Sequence, residues 1–531
     1  MIVKYKILKL KEMIMLIAVP LCFGLYSIML GQDTNWDLLN YHLYNPYSFL
    51  NNRLGFDLAP AGLQTYFNPF LDVLYLWATG CWSPRVVGFM LGVIHGINFV
   101  ILFYICKHTL KSLKISNNLS LLLAMAGILS IGFLSEVGTT FHDNIGALFC
   151  LLSVLVVVLS INSILENKKR AIWGIVLSGL VIGLGAGCKL VIAIYAMAIC
   201  FSFFILPVSL INRLKFSVIF GVAVLLGLSL TEGYWFYKIW DEFGNPFFPQ
   251  FNHIFSGDLA QSTPMRDFRF LPKSFWEKLI YPLIFTIYPR RVAEHPYIQI
   301  NWLILYVTVI IFLSNRLINF FRMSSSFRSL SPEANFLIAY LCLGYLLWLN
   351  IFGIYRYIIN LELLLPLVLF IVLTTIIKSK WSPKDIAIII MVMSFVNVII
   401  APDWGHAPWA KKTFYITSQD IQNKDTKIVF LAGQPLAWLI PALNTNAHFI
   451  QLIPNFSVSD AYWRRAQSFI SDGDYYVILG RGKKYSAVKV DERLHKIGLF
   501  LNRSTCKTMD AYLGATVIQY NYCKVQKELR H

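Results

Sequence analysis

Apolar runs of roughly 16 to 21 residues recur along the chain, and short polar connectors separate them. Expected membrane-crossing helices follow at about 13–31, 86–106, 117–135, 145–165, 171–187, 190–208, 216–232, 300–315, 334–352, 358–377 and 385–401. A lipid-spanning barrel would instead show segments of about ten residues alternating apolar and polar positions, so helices are implied. The predicted fold class is an α-helical polytopic membrane protein of about 11 transmembrane helices, with a small C-terminal α/β domain.

The polar connectors refine this picture. With the N-terminus inside, the even connectors carry Lys107, Lys111 and Lys114; Lys168, Lys169 and Arg170; Arg213 and Lys215; Arg316, Arg322 and Arg328; Lys378, Lys380 and Lys384. An excess of Lys and Arg marks cytoplasmic loops, which orients the chain. Composition agrees: 57% of the 531 residues are hydrophobic and 14% charged, against roughly a quarter charged in soluble domains. The net charge of +18 sits in clusters at helix ends rather than along a groove-sized face, which argues against a nucleic-acid partner. Lys4, Lys6, Lys9 and Lys11 ahead of the first run resemble a secretory leader, but no small-x-small site precedes Gly31-Gln32-Asp33, and an uncleaved first span is expected.

Three segments then lie outside the membrane on the far side: 31–85, 232–299 and 402–531. The middle one holds seven basic and seven acidic residues and opens with GNPFFPQFNHIF, which reads as ordered loop and short interfacial helices seated by aromatic side chains. The domain division is thus 1–401 within and around the membrane and 402–531 outside it. In the last segment KIVFLAG and YYVILG read as buried strands and 461–471 as a helix. Cys506 and Cys523 are the two cysteines clearly outside the membrane; a disulfide and two free thiols are both open. The other seven cysteines read as small core residues. There is no repeat, no Walker-type glycine loop and no Cys/His zinc spacing, so ATP-driven transport is disfavoured.

Candidate chemistry starts at GQDTNWDLLNYHLYNPYSFLNNR, directly after the first run. Asp33 and Asp37 are four residues apart and would share a helix face; two close carboxylates raise at least one pKa, which suits a proton acceptor. Asp33 or Thr34 can instead cap the helix that begins near Trp36. Asp37 lies inside that helix beside Tyr41 and His42. The turn TTFHDN brings His142 and Asp143 to the same side, where Asp143 can also serve as a cap. Asp, His and Asp could ligate a divalent metal ion, but no spacing demands one.

The pieces WDLLNYHLYNPY, TTFHDN, GLGAGCKL and FGNPFFP, taken with an acidic residue just after span one, resemble the C-type superfamily of membrane glycosyltransferases, which includes the protein O-mannosyltransferases and the lipid A aminoarabinose transferases. The resemblance covers about 13–400 and implies transfer of a sugar from a polyprenyl-phosphate-linked donor to a lipid, glycan or protein acceptor on the periplasmic face of a bacterial inner membrane, of inverting type. It implies that Asp37 is the general base, with Asp33 in reserve, and that Asp143 helps hold acceptor or metal; members differ in metal use. Tyr41, His42 and His142 would position substrate.

A departing phosphate needs cations near the membrane surface. Lys189 in GLGAGCKL, Arg356 in IYRY, Arg290 and Arg291 all fall at outer helix ends, where the positive-inside tendency gives no reason for them. Arginine forks suit phosphate oxygens, favouring Arg356 and Arg291. Glu294 and His295 receive no role. Two rivals stand beside the enzyme: a transporter or flippase of a lipid-linked glycan, and a non-catalytic partner in envelope polysaccharide assembly. A transporter would show related halves and charges at the bilayer midplane, neither visible in this chain.

Overall fold

The computed structural model describes residues 2–321, 330–377, 381–417, 421–480 and 487–528. Arg322, Arg328, Lys378 and Lys380, assigned above to cytoplasmic connectors, lie outside the described residues. Eight described helices are long and apolar enough to cross a membrane. They are α1 (Leu10–Leu30), α2 (Pro84–Ser112), α3 (Asp143–Leu165), α4 (Lys169–Cys188), α5 (Leu210–Phe243), α6 (Pro332–Ile351), α7 (Tyr355–Ile376) and α8 (Pro383–Ile400).

The expected eleven spans are therefore corrected to eight membrane-length helices. The run at 117–135 breaks into Ser120–Ile128 and Ile131–Ser135, because Ser130 is extended and the buried Glu362 carboxylate accepts from Gly132 N at 3.1 Å. At 190–208 the apolar helix is short, Leu190–Ile205. Pro207 ends it by forcing Leu206 into an extended backbone. The run at 300–315 is the apolar part of a helix that extends from Ile300 to Phe321.

Close helix packing explains one motif. Gly179, Gly183 and Gly187 recur every four residues along α4, and a Cβ on Gly183 would overlap the Val224 carbonyl of α5. Small residues at this spacing let two backbones touch where lipid supplies no hydrophobic drive. GLGAGCKL is thus first a packing seam, and it delivers Lys189 to the end of α4.

The two ends of the bundle differ. At one, Lys107 Nζ meets Glu12 Oε2 at 2.5 Å and Ser112 bonds Ser331 at 2.8 Å. At the other, α1 gives way to β1 (Gln32–Asp33), which pairs antiparallel with β2 (His406–Ala407) just past α8. Gly31 permits that approach: its φ is +111°, and a Cβ would lie 2.6 Å from Ala407 O.

Beyond β2 the chain forms a seven-stranded sheet of β3 (Phe414–Ile416), β4 (Thr426–Ala432), β5 (His448–Gln451), β6 (Asp474–Leu479), β7 (Leu499–Leu501), β8 (Lys507–Leu513) and β9 (Thr516–Lys527). Its order is β3-β8-β9-β6-β4-β5, with β7 also on β9; β5, β4 and β6 run parallel and the rest antiparallel. KIVFLAG is β4 and YYVILG is β6, as the apolar runs predict, and the expected helix at 461–471 is Asp460–Ser468. Cys506 and Cys523 form a disulfide, which closes the open alternative.

This domain is fastened to the first outer segment. Arg53 grips Asp57 with two bonds of 2.7 and 2.8 Å and donates to Ala447 O, while Asp57 accepts from Phe449 N at 2.8 Å and Tyr44 Oη at 2.9 Å. Leu58 bonds Phe449 and Gln451 across the outer edge of β5, covering an edge that would otherwise invite another strand. Leu58 and Tyr66 from the first outer segment and Phe243 and Leu259 from the middle one share a core with Ile428, Ile450 and Val477 of the sheet.

Candidate active site

The first outer segment begins with a hydrogen-bonded corner. Asp33 is buried and accepts from Asn35 N and Nδ2 and from Thr140 N and Oγ1, all at 2.7–2.9 Å. Asn35 then caps the following helix, its Oδ1 accepting from Leu38 N at 2.8 Å. Neither Asp33 nor Thr34 is the cap; Asp33 holds the cap in place and ties this segment to the TTFHDN turn. With four donors on its oxygens, Asp33 has no free lone pair directed at a substrate.

Asp37 follows within the first helical turn and leads into a single π-turn, Leu38–His42. Its Oδ2 lies 3.1 Å from Arg356 Nη1 at the start of α7, and Tyr41 Oη approaches the same oxygen at 3.5 Å. Asp143, the first residue of α3, pairs with Lys189 Nζ at 2.5 Å and lies 3.8 Å from Arg356 Nη1. The two acids expected to share a site are therefore joined by one arginine. Lys189 also donates to Phe141 O at 2.8 Å, and the Arg356 guanidinium lies over the Phe141 ring, 4.3 Å from its centroid, with Trp404 and Tyr357 alongside. Such faces favour a cation by their quadrupole and strip it of water.

A small pocket lies beside this cluster. Asp143, Lys189, Arg356 and Tyr357 line it at the bundle end, and Ala147, Cys150, Ile192, Tyr195, Ile359 and Asn360 line it within the bundle. The arrangement offers charge at the bundle end and a mostly apolar surface, with Tyr195 and Asn360, behind it.

Glu136 was not singled out by its sequence, yet it belongs here. It is 1% exposed and neither carboxylate oxygen has a hydrogen-bond partner. Burial first, then the nearby Asp143 and Asp37 carboxylates, push its carboxyl well above the ordinary range against the pull of Arg356 and Lys189. The raised carboxyl of Glu136 lessens the negative charge that Arg356 and Lys189 must balance. Glu136 and Asp143 are the only acids between Lys114 and Glu166, and that isolation was the available signal.

Other candidates fall elsewhere. His42 and His142 both turn to Asp72, at 2.7 and 3.1 Å, one ring edge-on to the other at 4.5 Å. Burial alone would raise the Asp72 carboxyl, but the two imidazoles outweigh it and hold it below the ordinary carboxylate value. Asp72 went unnoticed, although it is the one charged residue in 67–82. Arg291 bonds Glu277 at 2.5 Å and the Arg269 and Leu271 carbonyls, and Arg290 is exposed; neither pairs with Asp37 or Asp143. His295 stacks edge-on against Trp404, and Glu294 lies 3.7 Å from Arg269.

What the geometry defines is a multi-helix protein of membrane-crossing character with an acid and cation cluster at one end of its bundle. The sequence matches no protein-family model and no curated protein.

Proposed function

We propose that the protein is a glycosyltransferase that moves a sugar from a polyprenyl-phosphate-linked donor to a lipid, glycan or protein acceptor. The observation that carries this reading is the convergence of Asp37, Asp143, Arg356 and Lys189, of which the last three line a small pocket that also holds Ile192 and Ile359. An amphiphile with an anionic head matches that lining: prenyl carbons against Ile192 and Ile359, phosphate against Arg356 and Lys189.

The chemistry runs through these residues. Asp37 takes the proton of an acceptor hydroxyl as its oxygen bonds to the anomeric carbon, and the carbon–oxygen bond to phosphate breaks with its electron pair leaving on phosphate. Arg356 and Lys189 stabilise that anion in a site where water is scarce. In the resting protein Asp37 is held by Arg356; a phosphate that draws Arg356 toward itself releases the carboxylate to act as base. Asp143 keeps Lys189 in place, and Glu136 supplies a proton reservoir behind the cations. Asp33 serves the architecture of the site.

The basic residues at the Lys107 end support a cytoplasmic N-terminus. Because the shorter apolar helices at 120–135, 190–205 and 300–321 also carry the chain from one end of the bundle to the other, the C-terminal sheet then lies on the opposite side, outside the cytoplasm, on the periplasmic side of a bacterial inner membrane. Its disulfide suits that compartment. Asp37→Asn tests the proposal. Purified protein carrying it should lose about a hundredfold to ten-thousandfold in transfer from polyprenyl-phosphate sugar; transfer at the wild-type rate would dismiss Asp37 as base. Lipid-linked glycan crossing proteoliposome membranes unchanged in that variant, with no transfer by either protein, would favour a flippase.

A further inference from the structure

Three segments far apart in the chain bring His42, Asp72 and His142 together: the π-turn after the first helical turn, the helix Phe70–Cys81, and the turn before α3. One nitrogen from each imidazole and one Asp72 oxygen all lie within 4.8 Å of one another. Asp72 Oδ1 is 2.7 Å from His42 Nδ1 and 3.1 Å from His142 Nε2. Donors on a tetrahedral ion with bonds of about 2.0 Å stand about 3.3 Å apart, so small shifts of the rings would admit one.

Two observations describe the set. His42 is fully buried, and of its two nitrogens it is Nδ1 that it turns to the Asp72 carboxylate, where the His142 ring meets it. His142 adopts φ +65°, a left-handed backbone conformation uncommon for a side chain of this size, and that conformation accompanies the contact of its ring with Asp72. Strain of this kind persists only where surrounding structure enforces it.

We propose that His42, Asp72 and His142 bind a divalent transition-metal ion of the zinc class. Two imidazole nitrogens and one carboxylate oxygen form a donor set that suits Zn2+ over Mg2+, which prefers oxygen alone. With three protein ligands, the ion keeps a further position for water or another group. Its evident work is to pin the first outer segment to the turn that carries Asp143, one residue after a ligand. The site is separate from the Asp37 and Arg356 pair, and it stands whether or not the protein transfers sugar.

The test uses the full-length, untagged protein in detergent, stripped with a chelator and titrated with Zn2+ by calorimetry, with Co2+ as a spectroscopic probe and Mg2+ as the comparison. Wild type should bind one equivalent of Zn2+ that is absent or weakened by at least about a hundredfold in Asp72→Asn and His142→Asn. His142→Cys, which keeps a zinc-binding donor, should retain that equivalent and shows that loss in the Asn variants is loss of a ligand rather than of the fold. Nitrogen coordination should appear in the visible bands of bound Co2+. No Zn2+ bound by monodisperse wild type, equal binding by wild type and both Asn variants, or preference for Mg2+ would each overturn the proposal.

Discussion

Arg356→Gln separates the charge of the cluster from its fold. In the wild type, Arg356 lies 3.1 Å from Asp37 and 3.8 Å from Asp143, gross attractions of about 5 and 4 kcal/mol at an effective dielectric of about 20. Desolvation offsets much of this, and removing one partner of a buried pair costs about 3–5 kcal/mol because the other charge is stranded. The side chains of Arg356, Asp37 and Asp143 are 14%, 13% and 5% exposed, so the lower end of that range applies. Arg356→Gln should destabilise the protein by about 3 kcal/mol, and adding Asp37→Asn should recover most of the loss, since Lys189 then faces Asp143 alone.

Binding should behave differently. The single variant leaves Lys189 against the Asp37 and Asp143 carboxylates, and the site repels an anion. A lost charge-assisted hydrogen bond of about 1.5–3 kcal/mol weakens polyprenyl phosphate by roughly 10- to 150-fold. The double variant restores neutrality but not the guanidinium, so its affinity should stay low while its stability returns. Titration of polyprenyl monophosphate into detergent-solubilised protein reads the first quantity, and denaturant unfolding monitored by proteolysis reads the second. Wild-type phosphate affinity in the folded single variant would refute a phosphate role for Arg356; recovery of affinity in the double variant would show that only net charge matters.

Glu136 binds its proton more tightly in the folded than in the unfolded protein, so its contribution to stability is full below the ordinary carboxyl range and falls as pH rises through its raised folded value; Glu136→Gln should flatten the alkaline loss of stability, and an unchanged pH profile would show that Glu136 does not cause it. Replacing Cys506 and Cys523 together by Ser opens a loop of 17 residues and should cost the sheet domain about 3 kcal/mol, read as faster proteolysis between β6 and β9; equal resistance would deny the bridge a stabilising role. Reporter fusions after Lys169 and after Glu528 should report cytoplasm and periplasm respectively, and two cytoplasmic signals would break the assigned orientation.

Apolar run length and the placement of Lys and Arg determined that this is a multi-helix protein of membrane character, because a bilayer imposes its thickness and its charge asymmetry locally on every span. The same local logic located β4 and β6, buried apolar strands bounded by polar turns. It overcounted membrane-length apolar helices at 117–135, 190–208 and 300–315. The kink at Ser130 and the stop before Pro207 change helix length without changing mean hydropathy, while the third helix runs on past its apolar part to Phe321. At the site, helical spacing placed Asp33 and Asp37 as equals. Only the folded chain separates them, since Asp33 spends its oxygens on Asn35 and Thr140 while Asp37 reaches Arg356, 319 residues away. Lys189 joined Asp143 and Arg291 did not for the same reason: which cations meet which acids depends on how helix ends converge, and no local pattern encodes that. Glu136 and Asp72 are plain acids in apolar surroundings until packing buries one without partners and surrounds the other with two histidines. Their chemistry comes from burial and neighbours, and both are properties of the tertiary structure alone.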